Sequence, residues 1–584
     1  MKKITTIFLL LLATVWALTA APRSEGEARA IAQEFFAQHA TRSATNDVDL
    51  EWAGNGFGAQ RMNSDEPSLL YIYNRVGADG FVVVSGRDNV QPIIAYSLKN
   101  RIDSDNMAPA TRAILDAWCR QIEATTDEEY AVTRSTDVGS TEVEYETAQW
   151  NQYEPFNNQC PIIEGYRALT GCVATAMSII CRYHEWPTEV SGTTPAYYTA
   201  DRGIYVEENT LGPTYDYDNM LLNYNGSWSD VEGEAVATLM HDMGTSVSMM
   251  YHYDGSGAFD NDVPVALINN FKYDKGLRII WHGGYSNEEW FDMLEENLRN
   301  YGPTYFRGQS YEGGHAFVLD GYSTDHYFSI NYGWGGVANG YYMLPNIDYY
   351  AEQAAIFGLK PDKDGTSQYT DFIELYPTDE QYRGIMTNVL EYKSGESFEV
   401  RFGGVHNSGL VTFNGDVKLC LCDRSGNIKE ELALIEDLSL DRFYYQSYDR
   451  VVTIKGELAT GDRLRVYYKG EYSGDEWHWA RSYNDYAYDE IIVCGSTEDI
   501  AKELMVAYCP KYEVGDGTTV KRLEVSANMS IQWSLVDADG AVIESRSVLA
   551  NFVDGIHLPL ETTGEFTLTV RASGTDVYSV GITL

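Results

Sequence analysis

From Asp362 onward the sequence is almost wholly strand and turn in its patterning. SFEVRFGGVHNSG, GDVKLCLCDRSGN and DRLRVYYKG alternate apolar and polar residues between turn-forming Gly, Asn and Ser. A period of two puts every second side chain on one face, and such faces are buried by stacking one sheet on another. Before Asp362, stretches with the 3.6-residue period of a helix alternate with strands. A chain of 584 residues is also too long for one core. The sequence therefore predicts an α+β part followed by all-β sandwiches, one over 365–497 and a smaller one over 505–584. In the second, SIQWSLVDADGAVIES is expected to form a hairpin. No repeat of fixed period is present, which excludes a solenoid.

The N-terminal part divides further. Residues 1–21 read as a signal peptide, with Lys2 and Lys3 ahead of the apolar run Ile7–Val15 and small residues at Ala20 and Ala21. The run is short for a membrane span, and no later stretch reaches that length. The expected protein is exported: secreted, periplasmic or held at the cell surface. Residues 22–146 read as a compact α+β unit and a linker. Ser24 caps a helix bearing Ala28, Ile31, Ala32, Phe35 and Phe36. Strands follow over 69–97, turning at Gly77–Gly80, and then a helix over 107–123. The charged, Thr-rich stretch 125–147 reads as exposed linker. Residues 147–362 are α+β, with helices over 233–244, 263–271 and 286–301 and Tyr-rich surface loops over 190–228. A formal net charge of −44 repels nucleic acid and anionic membranes, so neither is expected as a partner. The eight cysteines are sparse and irregularly spaced, and no CxxC pair has zinc spacing. Disulfide connectivity and oligomeric state are not legible.

Within 147–362 the chemistry gathers on GCVATAMSIICRY (171–183). Gly171 opens a helix whose apolar stripe is Val173, Met177 and Ile180, with Cys181 in the core. Cys172 stands at the first turn, where the positive end of the helix dipole favours a thiolate. A cysteine nucleophile needs a base, a group that orients the base and an oxyanion donor. His184 is three turns along the same helix, out of reach. His315 follows Gly313-Gly314 and opens the strand AFVLD, about 140 residues after the cysteine, a papain-type separation. Asn331 can orient His315, and a neighbouring aromatic ring can shield that bond. Gln152, in WNQ, can offer its amide to an oxyanion together with the Cys172 N–H.

These segments, with their order Gln–Cys–His–Asn, resemble the streptopain family of secreted bacterial cysteine proteases. The matching stretches are WNQYEPFNNQCP, TGCVATAMSIICRYHEWP, LMHDMGTSVSMMY, GGHAFVLDGY and INYGWGGVANGYYML. YIYNRVGADGFVVVSGRDNVQPIIAYS resembles the family's inhibitory propeptide. The resemblance implies a papain-like domain, Cys172 as nucleophile, His315 as general base, Gln152 in the oxyanion hole and Asn331 behind the histidine. It implies peptide substrates with a hydrophobic residue two positions before the scissile bond, the propeptide as inhibitor, and no metal or organic cofactor. The family often has Trp directly after the Asn, where this chain has Tyr332, so either Tyr332 or Trp334 is left as the shield.

Two other classes of protein share parts of this pattern. In a silent adhesin or inhibitor, the β-domains would bind sugar or protein, for instance through Trp477 and Trp479, although a Trp pair on a strand is more often packing. An intact Gln152, Cys172, His315 and Asn331 argues against silence. An acyl transferase of transglutaminase or amidase type shares the Cys–His chemistry, and the family motifs favour hydrolysis.

Overall fold

A computed structural model describes the chain except residues 1–21, 40–45, 57–66, 105–108, 125–137, 213, 311–312, 347–348, 350, 379–382, 485, 494 and 573–576. The signal-peptide reading and most of the linker reading lie outside the described residues. The chain forms two compact units that interleave along the sequence. One holds 1–183, 217–240 and 308–351, the other 184–216, 241–307 and 352–584. The linear boundaries expected from composition cut across this division, because strands far apart in sequence share a sheet.

In the first unit, helix α1 (Glu25–His39) starts on a capping box. Ser24 Oγ accepts from the Glu27 N–H at 3.3 Å, and Glu27 Oε2 accepts from the Ser24 N–H at 2.8 Å. Its Ala28, Ala32, Phe35 and Phe36 are fully buried, as the apolar spacing requires. They pack with Tyr71, Tyr73, Val82 and Val84 on an antiparallel sheet of β1 (Val48–Gly54), β2 (Leu70–Arg75), β3 (Phe81–Ser85) and β4 (Ile93–Ser97). Every residue of β2, β3 and β4 is buried, so these strands are covered on both faces. Helix α2 (Pro109–Ala124) packs on β2 as well.

This sheet does not stop at the end of the N-terminal region. Strand β4 pairs with Gly340–Met343, Tyr96 opposite Tyr341, and those two rings stack at 5.0 Å. The ladder continues through Tyr327–Asn331 to Gly313–Ser323. The end of the stretch expected as exposed linker is a strand, β5 (Thr141–Glu144), paired with Gly313–Ser323. The linker reading is corrected there: polar composition followed β5's largely exposed side chains, while its backbone is held in the sheet. Helix α3 (Cys172–His184) is buried at every residue from Val173 to Cys181, more fully than a single apolar stripe implies. Helix α4 spans Asp230–Ser246.

In the second unit, α5 (Val263–Asn269) and α6 (Asn287–Tyr301) accompany a pair of strands, Arg278–Trp281 and Ala354–Phe357. Ser286 and Glu289 form a second capping box at α6. The Tyr-rich loops fold into two small hairpins, Thr193–Thr194 with Asn209–Thr210 and Tyr197–Tyr198 with Tyr205–Val206. Beyond them, two five-stranded sheets enclose a core that includes Phe398, Phe402, Leu419, Leu421 and Val466. A three-stranded and a four-stranded sheet then enclose Trp533, Leu523 and Leu568, and Ile531–Asp537 and Val542–Val548 form the expected hairpin. Trp477 and Trp479 pack on the outer face of the first stack against buried Cys420, Cys422 and Tyr467. Lys418 and Arg465 cover their rings at 4.1 and 3.6 Å, a packing role. Among the described residues no helix is long and apolar enough to cross a membrane.

Candidate active site

All the residues singled out for chemistry fall in the first unit. Cys172 is the first residue of α3 and is partly exposed, whereas the helix behind it is buried. The turn before it needs the left-handed region, and Gly171 supplies it with φ 85°. The Thr175 N–H and hydroxyl both donate to the Gly171 carbonyl, at 3.1 and 2.9 Å, and Thr170 Oγ1 lies 3.0 Å from Thr175 Oγ1. These bonds hold the helix start that carries the sulfur.

Gln152 reaches the same place from another direction. Trp150 is fully buried and its indole N–H donates to the Leu221 carbonyl at 2.8 Å. That anchor fixes WNQ, and the Gln152 carbonyl accepts from the Thr170 N–H at 3.3 Å, two residues before Cys172. The Gln152 side chain stays partly exposed, available to a ligand.

His315 sits at the start of Gly313–Ser323 and is 8% exposed. One ring nitrogen, Nε2, lies 2.9 Å from the Tyr332 carbonyl oxygen. A carbonyl only accepts, so Nε2 carries the hydrogen and Nδ1 keeps its lone pair for a proton. Burial pushes the imidazole down to about 4, partly opposed by the bond to Tyr332. A thiolate alongside would restore the charged form, so the protonation state belongs to the cysteine and histidine as a pair.

Asn331 does not make the hydrogen bond to His315 that the sequence suggested. Its Nδ2 donates to Thr147 Oγ1 and to the Ala148 carbonyl, both at 2.9 Å, and its Oδ1 accepts from the Gly333 N–H at 3.1 Å. The side chain is 1% exposed and its described partners are these three. Its neighbour's backbone carbonyl orients the histidine instead. Asn331 holds the turn that presents that carbonyl. Both candidate shields stand by the ring. Trp334 is the nearer, stacked at 4.9 Å, and Tyr332 lies at 6.3 Å while stacking on Trp334 at 4.7 Å. Phe317 and Tyr349 also border His315, at 5.8 and 5.2 Å.

The segment 331–336 joins these parts. A Cβ on Gly333 would come within 3.0 Å of Thr175 Cγ2 on α3, and Gly333 has φ 71°. The Gly335 N–H donates to the Trp150 carbonyl at 2.8 Å. One loop therefore touches the cysteine helix, the WNQ turn and the histidine.

The sequence reading missed a second layer. Thr147 Oγ1 donates to Asp320 Oδ2 at 2.5 Å while accepting from Asn331. Asp320 is 8% exposed, its Oδ1 has no hydrogen-bond partner among the described residues, and burial pushes its carboxyl up to about 6. A carboxylate inside the apolar run AFVLDGY was the available signal.

A model of the Peptidase C10 family matches residues 150–342, and one of the Spi protease inhibitor matches residues 20–122. Residues 150–342 belong to the Peptidase C10 family. The C10 match spans Gln152, Cys172, His315 and Asn331, and the inhibitor match spans α1, α2 and β1–β4. The fold is α+β in this part, and mostly β toward the C-terminus. Thiol protease/hemagglutinin PrtT of Porphyromonas gingivalis is 31% identical over 449 residues, 72% of this chain and 50% of the relative. The chain thus spans about half the length of that relative. Streptopain of Streptococcus pyogenes serotype M1 is 29% identical over 375 residues, 58% of this chain and 92% of the relative. A solved fragment of Prevotella intermedia prointerpain A is 26% identical, with 51% of this chain matching 98% of the fragment at a TM-score of 0.43. Residues 150–342 thus match a peptidase family and residues 20–122 an inhibitor family.

Proposed function

We propose that the chain is an exported cysteine endopeptidase made as a zymogen, with Cys172 as nucleophile and His315 as its base. The observation that carries this reading is the loop 331–336, which meets the start of the Cys172 helix, the Gln152 turn and His315 at once. His315 Nδ1 takes the thiol proton, and the sulfur attacks a peptide carbonyl carbon. The oxyanion is held by the Gln152 amide and the Cys172 N–H. His315 then gives its proton to the leaving amine, and water, activated by the same ring, hydrolyses the acyl-enzyme. Trp334 and Tyr332 keep water from the bond between His315 and the Tyr332 carbonyl. No step calls for a metal or organic cofactor.

The N-terminal inhibitor domain is the natural partner of this site, with peptides and proteins as substrates. Cleavage within 125–147 would separate it from the peptidase, and the strand pairing of β4 with Gly340–Met343 must then be lost as well. Residues 1–21 direct export.

Labelling with an epoxide inhibitor of cysteine proteases tests the assignment. The full chain, once processed, is expected to take up the label and cleave casein, and Cys172→Ala is expected to do neither. Retention of both by Cys172→Ala would overturn the assignment. A chain starting at Thr147 that folds and is no more active than the full chain would overturn the zymogen reading.

A further inference from the structure

The second unit contains a cavity of about 280 Å³ that uses no residue of the catalytic set. Its walls are aromatic: Trp281, Tyr376, Phe443, Tyr445 and Tyr483 line it. Tyr376 stacks with Tyr445 at 5.9 Å and meets Tyr483 edge-on at 5.0 Å, and Tyr483 lies 5.8 Å from Trp281. Phe443 and Tyr445 are 40% and 49% exposed, so they stand at the mouth.

The remaining wall includes Glu374, and the strand explains why. In Ile373–Leu375 the two leucine-type neighbours belong to the sandwich core, so alternation turns Glu374 to the outer face, together with Tyr376. Its cross-strand partners are His406 and Arg481. Glu374 is 1% exposed, and among the described residues neither carboxyl oxygen has a partner of full hydrogen-bond geometry, the Ser408 hydroxyl making only a weaker approach. Burial pushes the group up to about 8, opposed by Ser408 and Arg278. Burying a carboxyl without a partner is costly, and buried polar atoms otherwise find partners. Of the arginines nearby, two are held in ion pairs, while Arg278 and Arg442, the latter over the Phe443 ring at 4.1 Å, each keep a buried Nε with no hydrogen-bond partner among the described residues. Arg307 pairs with Asp260 at 3.1 Å and Arg481 with Asp489 at 2.7 Å, while Arg278 lies over the Phe372 ring.

A group that offers two N–H donors and a positive charge would satisfy both oxygens, and the ring faces attract cations. The size suits one side chain rather than a folded segment. We propose that this cavity binds the cationic end of a basic side chain, a guanidinium or ammonium, with Glu374 as the acceptor and the aromatic residues as its walls. The proposal stands independently of the peptidase reading.

The test titrates the full chain with N-acetyl-L-arginine amide and, as its neutral counterpart, N-acetyl-L-citrulline amide, followed by calorimetry. The arginine compound is expected to bind at least about tenfold more tightly, and Glu374→Gln to remove that difference. Binding is expected to persist after Cys172 is blocked by an epoxide. Should Glu374→Gln fail to fold, Tyr445→Ala, at the mouth, is expected to weaken the arginine compound several-fold. Equal binding of the two compounds, no binding of the arginine compound, indifference to these substitutions, loss of binding on blocking Cys172, or binding of galactose in place of the cation would each overturn the proposal.

Discussion

Replacing Asn331 by alanine distinguishes a direct hydrogen bond to His315 from the indirect arrangement seen here. The substitution removes three buried hydrogen bonds: to Thr147, to the Ala148 carbonyl and from the Gly333 N–H. At about 1 kcal/mol net for each, the loss is about 3 kcal/mol. The Ala148 carbonyl and the Gly333 N–H also lose a partner, which makes this a lower figure. The unfolding midpoint of the peptidase domain should fall by roughly 6–12 °C. The His315–Tyr332 bond uses a backbone carbonyl and is not deleted, so kcat at a temperature where the variant is folded should fall only as far as the loop loosens, about tenfold. Thr147→Val, which deletes the hydroxyl between Asn331 and Asp320, should reproduce a smaller version of both effects. The assay is a thermal melt with kcat and KM measured on the processed enzyme, together with the pH dependence of thiol alkylation. The result that refutes the reasoning is an Asn331→Ala enzyme of unchanged midpoint whose kcat has fallen a thousandfold and whose alkylation profile has moved. That pattern belongs to a side chain bonded to the imidazole.

Gln152→Ala is expected to lower kcat by about a hundredfold with little change in KM, read from steady-state kinetics on a peptide ester, because an oxyanion donor acts in the transition state. Asp320→Asn is expected to raise stability at pH 8. The carboxyl is held up to about 6 in the fold against 3.8 outside it, so its contribution is intact below pH 3.8 and lost as pH rises through 6. Melts from pH 4 to 8 should show the gain growing from about pH 4 and levelling off above pH 6, at about 3 kcal/mol at most. His315 acts in the opposite sense, since a depressed imidazole contributes stability above pH 6.5 that is lost as pH falls toward 4. His315→Gln should therefore flatten the acid side of the melting profile measured on the uncleaved chain.

Much of the local structure was legible because it rests on neighbours in sequence. The Ser24–Glu27 and Ser286–Glu289 spacings become capping boxes. The 3.6-residue spacing from Val173 to Ile180 becomes α3, and the two-residue alternation after Asp362 becomes stacked sheets. A cysteine at a helix start, a histidine opening a strand after two glycines, and a buried Trp beside a Gln are equally local. Family motifs then linked them in order.

What escaped the sequence is what depends on contacts between distant segments. Nothing in Asp320 or Thr147 announces that they support Asn331, because 184 residues separate Asn331 from Thr147 and only the fold brings them together. The same holds for β5, read as linker from its polar side chains although its backbone pairs with Gly313–Ser323. Side-chain composition reports which faces meet water. It does not report which backbone finds a neighbour, since every residue type but proline carries the same N–H and C=O.

The sequence by itself thus determined the reagents: a thiol at a helix N-terminus, an imidazole, an amide and the aromatic residues around them. The tertiary structure decided their connections, and above all that His315 bonds a backbone carbonyl while Asn331 braces the turn presenting it. The physical reason is geometric. A hydrogen bond tolerates a few tenths of an ångström, and which of two adjacent acceptors meets the imidazole depends on the path of a turn set by contacts with Thr147, Ala148, Trp150 and Thr175.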